Sequence, residues 1–168
     1  MDDATILSSI ARQYGTALKM LRQAIELCPD ELWADATYRN PYWHIAYHAL
    51  FYAHLYSQLN EAEFRPWSKH KEGIRMLGDL PAAELAPLAY SKAEILEYHE
   101  LCCAEVAARV AETNLEAESG FYWLPFNKFE LQIYNIRHIQ HHAAQLILRL
   151  RLDTDVNVPW VGHAWTDA

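Results

Sequence analysis

Glycine is scarce in this chain, with 5 among 168 residues, and so are the turn clusters that punctuate sheets. A protein built of many short strands needs such turns, so their rarity argues against a sandwich or barrel. Cysteine is nearly absent too. Cys28, Cys102 and Cys103 form no CxxC pair and too small a set for a disulfide framework. Adjacent Cys102 and Cys103 read as small core-lining residues on a helix, and a reducing cytoplasm suits all three. No apolar run is long enough to span a bilayer, which predicts no membrane association. The opening stretch, MDDATILSSI, has no basic segment leading into an apolar one and does not read as a signal peptide. Basic stripes are missing as well: 14 Lys and Arg face 22 Asp and Glu, for a formal charge of −8. Phosphate backbones require clustered cations, so no nucleic-acid partner is expected.

What is present is apolar and helix-forming. Hydrophobic residues make up 52% of the sequence, enough for a sizeable core in one domain spanning residues 1–168. Four segments carry apolar residues three and four apart. The first runs from about Asp3 to Cys28, through Ile6, Ile10, Tyr14, Leu18, Leu21 and Ile25, and stops at Pro29. The second runs from about Pro41 to Leu59, with Asn40 as its expected N-cap. The third starts at Ser91, where Ser91 and Glu94 form a capping box, and reaches about Thr113. The fourth starts at Asn127 and runs to about Leu152. Residues 60–90 form a long connection with one short helix near 81–86. Such a length implies either function or packing as an extra layer. The expected fold class is all-α: a four-helix bundle with a long crossover between helices two and three.

Histidine carries the chemistry. His44 and His48 are four apart on helix two, and His138 and His142 are four apart on helix four, so each pair shares a helix face. Nine histidines in 168 positions give about half of one such pair by chance, so two pairs are mildly surprising and either alone is a weak signal. Both segments are densely apolar, and a buried imidazole without a partner costs roughly 1–3 kcal/mol. A shared divalent transition metal would satisfy several imidazoles at once. Three histidines from two facing helices leave coordination positions open, as catalytic sites do. His48, His138 and His142 are the expected ligands. His44 reads as a residue at the helix start near the site mouth, behind a ligand or hydrogen-bonded. Gln145, close to His138 around the helix, could orient a ligand, and Tyr52 is the best pocket residue, its hydroxyl placed to meet bound water. His54 and His141 read as surface or packing residues. Glu94, Glu97 and Glu100 read as a solvated face, and Trp160 and Trp165 as cover for an exposed apolar patch or a dimer seam.

At WHIAYHALFY around His48, and at RHIQHHAAQL with His138, His142 and Gln145, the chain resembles the DinB-like (YfiT-like) superfamily of metal-dependent enzymes. The four helices and the long second crossover extend the resemblance over nearly the whole chain. The resemblance implies a four-helix bundle, nickel or zinc on the three histidines, and a homodimer. It also implies a small-molecule substrate, with a low-molecular-weight thiol among the possibilities, since characterised members include thiol transferases and a thiol-dependent isomerase. His44 and His141 are additions to the family's minimal pattern. Two reactions fit such a site, a hydrolysis with water as nucleophile and an S-transfer with a thiol. A metal-binding domain without catalysis, or a helical interaction module with structural histidines, are the alternatives. No Ser/His/Asp triad, P-loop or dinucleotide motif competes with these readings.

Overall fold

The computed structural model describes residues 2–163, and Trp165 lies outside them. The fold is all-α, with no β-strand among the described residues. Helix α1 spans Asp3–Leu27, α2 Asp30–Trp33, α3 Tyr42–Ser57, α4 Ala82–Leu85 (followed by a 3₁₀ turn at Ala86–Leu88), α5 Lys92–Ala111 and α6 Lys128–Thr154. The four long helices match the four periodic segments to within a few residues. Helices α1 and α3 each pack against both α5 and α6, so the four enclose one core.

The helix starts follow local chemistry. The Asp2 carboxylate accepts from Thr5 N–H and caps α1. Ser91 and Glu94 cap α5 reciprocally, and the Asn127 side chain accepts from Glu130 N–H at the start of α6. Each satisfies an amide that the helix leaves without a carbonyl. The expected cap of α3 is corrected. Pro41 occupies the cap position with no side-chain hydrogen bond, and Asn40 Oδ1 instead accepts from Gly78 N–H at 2.9 Å. Asn40 ties the crossover down; proline, which lacks an N–H, starts the helix.

Helix α3 is buried on all sides, with every residue except Tyr52 inside. A helix apolar around its whole circumference has to be central. Helices α5 and α6 cover two of its sides and the 58–91 crossover covers another. That crossover is an extra packed layer, one of the two alternatives its length left open. Ile74 and Trp67 are in the core, and Trp67 stacks on Tyr98 of α5 at 4.7 Å. The short helix expected near 81–86 is α4; the single turn of α2 has too short a period to read from sequence. Trp160, expected to cover an apolar patch, is itself 79% exposed. The 114–127 connection folds back so tightly that a Cβ on Gly120, which has φ +85°, would lie 2.2 Å from the Leu59 carbonyl oxygen.

Candidate metal centre

Four residues advance a helix by about 6 Å and turn it about 40° past a full turn. His138 and His142 therefore point from α6 toward α3 side by side, and His48 meets them from mid-α3. His138 Nε2 lies 3.2 Å from His48 Nε2 and 3.1 Å from His142 Nε2. Ligand atoms of all three lie within 4.8 Å of one another. Two imidazole nitrogens on one tetrahedral zinc, at bond lengths of about 2.0–2.1 Å, stand about 3.3 Å apart. The spacing observed here is close to that.

The second nitrogen of each ring decides what the first can do. His48 Nδ1 lies 2.7 Å from the Arg75 carbonyl oxygen, which only accepts, so Nδ1 carries the proton and Nε2 its lone pair. His142 Nδ1 donates likewise to Gln145 Oε1 at 2.8 Å. Both Nε2 lone pairs thus face the third histidine. A proton on His138 Nε2 could serve only one of them at a time, whereas a cation would serve all three. His138 Nδ1 is buried without a hydrogen-bond partner. Burial also keeps the rings neutral, because desolvation penalises an imidazolium and each histidine repels charge on its neighbours. His48 is pushed down to about 4, His138 to about 3, and His142 is lowered as well. Neutral imidazoles with inward lone pairs are what a metal requires.

The other expected site residues fall into two groups. Gln145 contacts one of the expected ligands, its oxygen accepting from His142 Nδ1 rather than reaching His138, and its amide also contacts His141. His44 is not at the site mouth. It is fully buried, and its Nε2 donates to the Ile74 carbonyl oxygen at 2.7 Å. Its neighbours explain the placement. His44, His48 and Tyr52 stand one above another on α3 and hold three consecutive crossover residues: the Ile74 carbonyl, the Arg75 carbonyl and, through the Tyr52 hydroxyl at 2.8 Å, Met76 Sδ. The Tyr52 hydroxyl is thus engaged by sulfur. His54 is buried against Phe64 and Tyr98, and His141 is exposed. Glu94 is half-buried in its capping box, while Glu97 and Glu100 form exposed ion pairs with Lys69 and Arg22; none approaches the three histidines. Sequence reading passed over His99, which donates to the Leu18 carbonyl and braces α5 against α1, and over the crossover carbonyls, which no side-chain pattern can signal.

The centre opens on a cleft of about 430 Å³ whose floor includes His48 and His138. The 58–91 crossover contributes Arg75 and Met76 to its wall, and the 114–127 connection contributes Tyr122 and Trp123. A larger concavity of about 620 Å³ lies over the 116–127 connection, with no histidine or cysteine in its lining. No known family, curated protein or solved structure matches this chain. Among the described residues no helix is long and apolar enough to cross a membrane.

Proposed function

We propose that the chain is a metal-dependent enzyme of the DinB-like type, a four-helix bundle with nickel or zinc held by His48, His138 and His142. The observation that carries this reading is the convergence of three Nε2 atoms, two of them with tautomers fixed so that their lone pairs face inward. The donor set suits a borderline metal: all nitrogen, neutral, with one side open to a cleft. A metal there would lower the pKa of a water or thiol ligand and so supply a nucleophile near neutral pH. The chain's own residues do the rest. Arg75 and Gln145 fix the tautomers of two ligands. The aromatic wall limits water around the open side. Low-molecular-weight thiol transfer and hydrolysis both use this arrangement, and a homodimer belongs to the same proposal.

Metal analysis of protein purified without an affinity tag tests the centre. About one equivalent of a transition metal per chain is expected, with less than about a tenth in a folded His142→Ala variant. A metal-free but fully folded parent protein would refute the centre. Catalysis is tested by offering low-molecular-weight thiols with an electrophile; turnover that disappears in His142→Ala, with the helical circular dichroism intact, supports the enzyme. Metal loading without turnover across thiols and hydrolysable esters would favour a metal-binding domain.

A further inference from the structure

Three neutral imidazoles leave both charges of a divalent cation uncompensated, so the charge balance has to come from elsewhere. Two charged side chains line the cleft among the described residues, Arg75 and Glu61. They are not equivalent. Glu61 follows the end of α3 at Ser57, which is about 14 Å along the helix axis from His48. Arg75 is held level with the metal centre, because its carbonyl oxygen accepts from His48 Nδ1. Its guanidinium is exposed and makes no hydrogen bond or ion pair with any described residue. With a cation on the histidines, the inner end of the cleft would carry two positive groups in its lining, while Asp79, the acidic group that acts on Tyr52, lies outside that lining.

The rest of the wall is aromatic. Tyr56 stands edge-on to Tyr134, with ring centroids 5.5 Å apart, and the Trp123 indole N–H points at the Tyr56 hydroxyl from 3.5 Å. At the rim Tyr122 is 90% exposed and Trp123 37%. Aromatic surface left in water beside a concave site is stabilised when a ligand covers it, through loss of exposed apolar area and through ring stacking.

We propose that this cleft binds an organic anion with a flat apolar body, its charged end between the histidine-held cation and Arg75 and its body against Trp123, Tyr56 and Tyr134. The inference rests on the metal reading above and adds the ligand class. Water cannot play this role alone, since it leaves the aromatic rim and Arg75 without a partner.

Zinc-loaded full-length protein titrated calorimetrically with benzoate, benzamide and cyclohexanecarboxylate tests it. Benzoate should bind at least about tenfold more tightly than the neutral amide or the non-planar acid. Arg75→Gln should weaken benzoate about five- to tenfold while zinc stays at one equivalent, because only the Arg75 carbonyl touches a ligand. Trp123→Ala should erase the preference for benzoate over cyclohexanecarboxylate and keep the preference over benzamide. Equal binding of benzoate and benzamide, no binding of any of the three, or an Arg75→Gln variant indistinguishable from the parent would overturn the proposal. Failure to take up zinc at all would instead sink the metal reading beneath it, and the zinc assay shows which has happened.

Discussion

Gln145 shows how much a single exposed side chain can do for a buried centre. Its oxygen sits 2.8 Å from His142 Nδ1, and that contact keeps the His142 lone pair on the inward nitrogen. Groups behind metal ligands commonly cost 10–100-fold in metal affinity when removed. Gln145→Leu should therefore weaken zinc binding by about tenfold or more, measured by competition with a chromophoric chelator. The thermal midpoint of the metal-free protein should barely move, since Gln145 is exposed. Gln145→Glu keeps an acceptor and should retain most of the affinity; equal losses in both variants would mean that the contact does not orient the ring. The convergence of His48, His138 and His142 was legible because all three lie on helices, where spacing fixes direction, while Gln145 contacts His142 rather than the His138 it was read against. His44 was legible only in part, as a hydrogen-bonded residue near the helix start, for the opposite reason. Its partner is a backbone carbonyl in the crossover, and nothing in a linear sequence says which loop carbonyl lies over which helical turn.

The same division runs through the elements. Long helices were legible from apolar spacing, and two of their starts from side chains that double as caps at Ser91 and Asn127. Asn40 has the right chemistry for a cap, but Pro41 opens α3 and releases Asn40 to bind Gly78. The connections were legible as important yet not as shapes. The 114–127 segment reaches the cleft only because it turns at Gly120. That backbone sits at φ +85° against the Leu59 carbonyl, where a Cβ would clash at 2.2 Å. Gly120→Ala combines left-handed strain with that overlap and should destabilise the protein by at least about 2 kcal/mol, read from urea unfolding. It should also displace Tyr122 and Trp123 from the cleft, visible as altered tryptophan emission in the folded state. An alanine variant of unchanged stability would show that the turn is freer than its geometry indicates.

For the whole molecule, buried histidines make stability depend on pH in a way the acidic composition conceals. His44, His48, His54, His99, His138 and His142 all have lowered pKa values, with loss of hydration as the first cause in each. In the unfolded chain these rings take up protons around 6.5; in the folded chain His48 resists protonation to about 4 and His138 to about 3. Between those limits the unfolded state holds more protons, so stability falls as pH falls. The loss is absent above about pH 7, begins near 6.5 and continues toward 3. The carboxylates held low by capping or pairing, such as Glu94 and Glu100, add to it only below their ordinary 4.5, and weakly, because both sit at the surface where solvent screens them. Metal superimposes a second dependence. A cation that binds only the folded chain stabilises it by mass action, about 2.7 kcal/mol at a hundred times its dissociation constant. Protons compete for the same nitrogens, so this increment shrinks in acid. Urea midpoints measured from pH 8 to 5, with and without one equivalent of zinc, should therefore both fall. The zinc-loaded curve should start higher and converge on the metal-free curve as pH drops. Parallel curves would show that zinc binds away from the histidines. A metal-free midpoint that holds steady from pH 7 to 5 would mean that the buried rings find partners for their protons, and that the three facing nitrogens are stable without a cation between them.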